Sequence, residues 1–221
     1  MDRRTFVNST LAAGAAAAGL TSTAKADAET PVTILGVAGS PRRGMTTAGG
    51  IHTALDGAKA FSDRIRVRFL DLGEMTFSGW TADGTFEKDD FTEAILPMLT
   101  DPVPDGLIIG SPVYYRNLSS LCLAFLERTA AIRSPRMLLA NAAVGVLSVG
   151  AYRNGGQELV IAQIQAAMLC HRARIVGGQP NAFQGATLWN NWDDDISKDT
   201  FGLESARKLG SHVAEAALKL A

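Results

Sequence analysis

An apolar run rich in β-branched residues, Val32-Thr-Ile-Leu-Gly-Val-Ala38, breaks at Gly39-Ser40-Pro41, and helical spacing then takes over at Ala48, Ile51, Leu55 and Ala58. A run this short, stopped by such a breaker, reads as a buried strand, then a tight loop, then a helix. This unit sets backbone N–H groups and a helix N-terminus beyond the carboxyl end of a strand, where both favour an anion. Ser40, Thr46 and Thr47 add hydroxyls and Arg42 and Arg43 add charge, so the loop suits a phosphate. Its glycine spacing is not the dinucleotide fingerprint, and no Gly-Lys-Ser/Thr follows to make a Walker loop.

The same alternation continues down the chain. Ile65 to Leu72 alternates apolar residues with Arg66 and Arg68, which predicts an edge strand. Residues 73–89 have no period and read as an ordered loop; Asp89-Asp90 then caps a helix over 91–99, ended near Pro102 and Pro104. Gly106 to Pro112 is apolar throughout and is the third strand, followed by a helix opened by Ser119 and Ser120 with Leu121, Cys122, Phe125 and Leu126 inward. Ala142 to Gly150 is the fourth strand, Gln157 to Cys170 a helix, and Ala173 to Gly178 a short fifth strand. A loop runs to about Ile196, and from about Asp199 the last helix carries Leu203, Ala206, Leu209, Val213, Ala216 and Leu220 on one stripe. Five strands alternating with helices make an α/β fold, a doubly wound parallel sheet covered on both faces with right-handed crossovers.

The 221 residues, 47% hydrophobic and 19% charged, suit one domain with a substantial core behind a leader. A net charge of −1 and the absence of a basic stripe argue against nucleic acid as a partner. Asp2-Arg-Arg-Thr-Phe-Val7, an Ala/Gly run from Thr10 to Leu20 and Ala24-Lys25-Ala26 follow the order of a twin-arginine export signal with a small-x-small cleavage site. The run is too short to span a bilayer. The expected division is residues 1–26 as signal peptide and 27–221 as the folded domain, in the periplasm or otherwise exported. Removing residues 1–26 takes Arg3, Arg4, Lys25 and Asp2 from 21 basic and 22 acidic residues and leaves a net charge of −3. Cys122 and Cys170 both fall on expected helices among apolar neighbours, which favours buried free thiols, a disulfide being the alternative in an oxidising compartment. Their spacing makes no metal or iron–sulfur motif.

In open parallel sheets ligands sit beyond the carboxyl ends of the strands. Three loops leave strands there: Ser40 to Thr47, Ser111-Pro-Val-Tyr-Tyr-Arg-Asn117 and Gly150-Ala-Tyr-Arg-Asn-Gly-Gly156. Together they describe a pocket for a ligand with a phosphate and a flat ring. Gly39-Ser-Pro-Arg-Arg-Gly-Met-Thr-Thr47 resembles the phosphate loop of the NAD(P)H-dependent FMN reductase family. Gly110 to Asn117, continuing to Phe125-Leu-Glu-Arg128, is similar to that family's second flavin loop, and Gly150 to Glu158 to its third, in which Gly-Gly-Gln-Glu opens a helix. The resemblance covers residues 32–178 and is nearest the branch of iron–sulfur flavoproteins and multimeric flavodoxin-like reductases. It implies a flavodoxin-like sheet of order 2-1-3-4-5, FMN as cofactor and a homo-oligomer. By the same resemblance Ser40, Arg42, Thr46 and Thr47 bind the FMN phosphate. Pro112, Val113, Tyr114, Tyr115, Arg116 and Asn117 line the isoalloxazine, and Gly150, Tyr152, Arg153, Gly155 and Gly156 cover its other edge. The flavin carries the electrons, so no catalytic acid or base is named.

The chain departs from that branch where the iron–sulfur members hold a compact cysteine cluster: Gly73 to Gly84 contains no cysteine. An exported protein also meets little NAD(P)H, which leaves the electron donor open. His52 is expected on the exposed side of the first helix, His171 at a helix C-terminus where positive charge is favourable, and His212 on the last helix, with no metal site among them. Asp193-Asp194-Asp195 reads as a solvated loop, with divalent-cation binding as the alternative, and Trp189 as the best candidate for a pocket rim. The expected function is an FMN-dependent oxidoreductase with a small-molecule donor and acceptor, NAD(P)H and a quinone among them, or a redox protein. The alternatives are a flavodoxin-like electron carrier and a flavin-free binder of a phosphate ligand.

Overall fold

The computed structural model describes residues 30–221 apart from 87, 178, 179 and 181, so the expected export signal lies outside the described residues. The strands are β1 (Val32–Ala38), β2 (Ile65–Asp71), β3 (Gly106–Pro112), β4 (Ala143–Gly150), β5 (Arg174–Ile175) and β6 (Ala186–Trp189). The helices are α1 (Thr46–Lys59), α2 (Leu96–Thr100), α3 (Ser120–Arg128), α4 (Ala130–Arg133), α5 (Gln157–Leu169) and α6 (Thr200–Leu220). The sheet is parallel, in the expected order β2-β1-β3-β4-β5, with β6 also pairing β4. The alternating β2 is an edge strand, as its arginines require, whereas β3 and β4 are buried along their whole length.

Strand alternation divides the core in two. Ile34, Ile108 and Leu147 face α1 and α6, packing on Ile51, Leu55, Leu209 and Val213. Leu35, Val37, Ile109 and Val144 face the other side, packing on Phe91, Phe125, Ile161 and Ile164. Truncating one such fully buried Leu or Ile to Ala costs about 2–5 kcal/mol. The helices α1 and α6 cross with their backbones touching: a Cβ on Gly210 would stand 1.7 Å from the Ala54 carbonyl oxygen. The Ser211 hydroxyl donates to the Gly57 carbonyl at 3.1 Å across the same crossing, which fixes the direction of α1.

Four expectations need correction. The fifth strand is not one run over 173–178: β5 is two residues long, and β6 takes up the position beside the carboxyl half of β4, where a loop was expected. Ala186 and Leu188 are buried and Thr187 and Trp189 are not, a period-2 pattern too short to stand out between Gly185 and Asn190. The helix expected over 91–99 opens with a π-helical turn, Phe91–Ile95, where the Leu96 N–H reaches back to the Phe91 carbonyl. Pro97 has no N–H to continue an ordinary ladder there. Cys170 is exposed, since it caps the end of α5 outside the core, while Cys122 is buried as expected. His171 is also buried, with Nε2 2.9 Å from the Thr129 hydroxyl, and burial followed by the nearby Arg133 lowers its pKa. Desolvation outweighs the helix dipole that favours positive charge at that end.

Candidate functional site

The first loop is built around groups that find no acceptor. Gly39 N–H donates to the Gly110 carbonyl at 2.7 Å, and a Cβ at Gly39 would lie 2.7 Å from Cys122 Cβ, so only glycine lets β1 turn here. Asp71, at the end of β2, accepts from the Gly44 and Gly73 N–H groups at 2.8 and 2.9 Å and fixes the outer wall of the loop. The helix α1 then starts at Met45 with no side-chain cap and no acid in its first turn. Among the described residues the N–H groups of Thr46, Thr47 and Ala48 and the hydroxyls of Thr46 and Thr47 have no hydrogen-bond partner. Thr46, Thr47 and Ser40 are nonetheless buried. Unmet donors converging on a helix N-terminus are an anion seat.

Three buried serines tie this seat to the neighbouring strands. The Ser119 hydroxyl donates to the Gly39 carbonyl and accepts from Cys122 N–H at 3.0 Å. Ser119 N–H donates to Ser111 Oγ at 3.0 Å, and the Ser148 hydroxyl donates to the Ser111 carbonyl at 3.0 Å. The Cys122 thiol beneath them is pushed up to about 12 by burial and is inert.

The second loop is a tight hairpin turn. Tyr114 and Asn117 exchange both backbone hydrogen bonds at 2.9 Å, and Tyr115 and Arg116 between them have φ of 50° and 62°. Two left-handed non-glycine residues cost on the order of 1–2 kcal/mol each, and strain of this kind gathers at functional sites. The third loop is held by Gln157, whose amide accepts from Gly155 N–H at 2.8 Å and donates to the Tyr152 and Leu188 carbonyls at 2.6 and 3.1 Å. Between these loops lies a cavity of about 770 Å³, walled by Val113, Tyr114, Tyr115, Tyr152 and Trp192, with Arg116 and Asn154 at its edge.

Residues 32–187 match the NADPH-dependent FMN reductase family. The chain belongs to that family. Its members are FMN-dependent oxidoreductases, and FMN is their cofactor. Among the relatives of this chain, an iron-sulfur flavoprotein of Methanocaldococcus jannaschii is 32% identical over 189 residues, covering 82% of this chain and 95% of that one. An NAD(P)H dehydrogenase (quinone) of Chromohalobacter salexigens is 28% identical over 154 residues, 61% of this chain and 73% of that one. The solved structure of a flavodoxin, WrbA-like protein from Agrobacterium tumefaciens superposes with a TM-score of 0.58 at 16% identity, over 87% of this chain and all of that one, which speaks to the fold.

In this family member the site residues expected from sequence separate into four groups. Thr46 and Thr47 stand at the anion seat and Ser40 is buried in the same loop, its Oγ accepting from Arg42 N–H at 3.1 Å, while Val113, Tyr114, Tyr115, Arg116, Tyr152 and Gly155 meet at the cavity. Pro112, Asn117, Gly150 and Gly156 shape the loops from behind. Arg42 and Arg153 are already engaged. Arg42 donates to both Asp194 oxygens at 2.8 and 2.7 Å, which raises its own pKa and holds the Asp194 carboxyl below its ordinary range. Arg153 pairs with the buried Asp199 and lies 5.1 Å over the Trp189 ring, so its guanidinium braces the base of the next loop. Asp199 also accepts from Trp189 N–H at 2.8 Å and caps α6 through Gly202 N–H at 2.9 Å. The rim residue is therefore Trp192 and not Trp189, and Asp194 answers Arg42 instead of standing free in solvent. An aromatic set in an Asn/Asp-rich loop was the available signal for Trp192, and it marked Trp189 equally.

Proposed function

We propose that this chain is an exported FMN-dependent oxidoreductase that takes electrons from a nicotinamide-type donor and passes them to a quinone or another small acceptor. The observation that carries the reading is the uncapped N-terminus of α1 standing at the same sheet edge as an open, aromatic-walled cavity. The residues fit FMN on chemistry as well as on family. The free N–H groups and the hydroxyls of Ser40, Thr46 and Thr47 meet a phosphate. Tyr114, Tyr115, Tyr152 and the backbone of the second loop meet a flat ring, with Gly155 allowing close approach and Gly150 and Gly156 leaving room for Gln157 and Arg116 to hold the loops. Arg42 adds its charge from the rim, beside Tyr114 and Asp194. Arg153 serves by holding the third loop. When bound, FMN supplies the hydride and electron transfer, and the chain's part is to bind, orient and shield it. An electron carrier shields its ring, and the open cavity supports an enzyme with a small-molecule acceptor instead.

Export rests on the order of the Arg3-Arg4 pair, the Ala/Gly run and the Ala24-Lys25-Ala26 site. Cleavage there leaves every described element intact, since β1 starts at Val32. Among the described residues no helix is long and apolar enough to cross a membrane. The deciding experiment purifies the mature chain from the exported fraction, records its visible spectrum and assays NAD(P)H-dependent quinone reduction. About one FMN per chain with turnover is expected. A colourless protein that takes up no added FMN would overturn the reading.

A further inference from the structure

We propose that Trp192 is a specificity-determining residue of this site, the outer wall against which a flat, neutral or anionic aromatic acceptor stacks. The inference rests on the oxidoreductase reading and adds to it a residue outside the family match, which ends at residue 187. Trp192 is 70% exposed, so it is no core residue, yet it borders the cavity of about 770 Å³. That volume lies high in the range of about 300–1,000 Å³ typical of small-molecule sites and leaves room for more than one flat ring.

The backbone goes out of its way to hold the indole there. Asn191, Trp192 and Asp194 have φ of 50°, 64° and 51°, three left-handed non-glycine residues within four positions. Such strain persists only where surrounding contacts fix it. The contacts are specific: Asn190 N–H donates to the Gly150 carbonyl at 3.0 Å, and Trp192 N–H donates to Asn190 Oδ1 at 3.2 Å. The indole meets Tyr152 edge-on, with ring centroids 5.5 Å apart and planes at 80°. At the far end Asp194 closes the loop onto Arg42 of the phosphate loop through two hydrogen bonds. The latch therefore joins the anion seat to the cavity wall. Among the described residues the cavity lining carries Arg116 and no carboxylate, which sets the charge preference: a cationic acceptor gains nothing here, and a neutral or anionic one does.

The test uses the FMN-loaded mature chain with Trp192→Ala, Trp192→Phe and Asp194→Asn. Two acceptors are compared, menadione, which is flat, and ferricyanide, which is not. Binding of redox-inert 2-naphthoate is followed through the flavin absorbance and through tryptophan fluorescence. Trp192→Ala is expected to raise the menadione KM about tenfold relative to the ferricyanide KM, and the naphthoate Kd by a similar factor. Trp192→Phe recovers most of the loss. Asp194→Asn, which leaves the indole in place and removes the latch, moves both in the same direction by about threefold. The proposal is overturned if Trp192→Ala leaves the menadione-to-ferricyanide ratio and the naphthoate Kd at wild-type values. It is equally overturned if both acceptors shift together with FMN affinity, because the loop then merely supports the cofactor. If the wild-type chain reduces neither acceptor, the oxidoreductase reading falls; naphthoate quenching present in wild type and absent in Trp192→Phe still upholds the wall, and quenching unchanged by that substitution rejects it.

Discussion

At the β1–α1 end of the ligand edge, polar groups stand open: the N–H groups of Thr46, Thr47 and Ala48 and two threonine hydroxyls have no acceptor within the described chain. At the end formed by the loops after β3, β4 and β6 the opposite holds. Gln157 uses both ends of its amide, and Arg153 and Asp199 answer each other. What is left open there is aromatic surface, on Tyr115, Tyr152 and Trp192. One end recognises charge with fixed backbone dipoles. The other recognises a plane with rings held by a closed polar frame. The difference explains why the open end needs almost no strain, while the closed end carries left-handed residues in the second loop and again after β6.

The largest effect should come from blocking the open end. Gly39→Val pushes a side chain into Cys122 and the Gly110 carbonyl, 2.7 and 2.9 Å from its Cβ. A destabilisation of about 3 kcal/mol, the upper part of the overpacking range, is expected because the carbonyl belongs to a central strand. FMN affinity should fall more than about 100-fold, since the seat is displaced as well. Urea unfolding and a fluorescence titration check both. Retained affinity would mean that the phosphate does not sit over this turn.

The closed end should fail in stability before affinity. Asp199→Ala removes the α6 cap, the Trp189 N–H acceptor and the Arg153 partner together. A loss of about 2–3 kcal/mol is expected, less than the roughly 3–5 of a fully buried pair because Arg153 keeps access to water. The ratio of FMN to riboflavin affinity should hold, because only the phosphate distinguishes the two ligands. A collapse of that ratio would merge the two ends into one site.

The complementary experiment strips the open end of hydroxyls. The double variant Thr46→Val with Thr47→Val keeps the shape of two buried residues and the backbone donors. FMN should bind about 30-fold more weakly, from two hydrogen bonds at a net of about 1 kcal/mol each. Riboflavin, which lacks the phosphate, should bind as before. Equal losses for both ligands would place the ring, and not the phosphate, over α1.

The open end was legible in the sequence and the closed end only partly. Gly39-Ser40-Pro41 and Thr46-Thr47 stand next to one another in the chain, so their shared role follows from local strand, loop and helix signals. The doubly wound parallel sheet followed from the alternation of strands and helices and the edge place of β2 from its pattern, whereas the order 2-1-3-4-5 came only with the family resemblance. The closed end depends on partners far apart in sequence. Arg42 meets Asp194 across 152 positions and Arg153 meets Asp199 across 46, and neither pair leaves a periodic trace. For the same reason Arg153 read as a flavin contact, Asp194 as a solvated charge and Trp189 as the rim. The strand β6 stayed hidden because four residues hold too few turns of alternation to count.

The smallest effect concerns a place where the two ends touch by charge. Arg42 holds the Asp194 carboxyl below its ordinary value, so the pair survives as pH falls through the usual carboxylate range, near 3.8, and opens only below it. The sign follows: the contribution of this pair is fully present above that ordinary value and is lost as pH drops through the lowered one. Asp194→Asn should mimic the protonated state at neutral pH. Both groups are about half exposed, so the attraction is screened and the change small. Freeing Arg42 and removing a negative charge from beside the anion seat should tighten FMN about two- to threefold, an advantage that fades in high salt. Weaker FMN binding in Asp194→Asn would reverse the picture, making the clasp a support of the phosphate seat and not a competitor for its arginine.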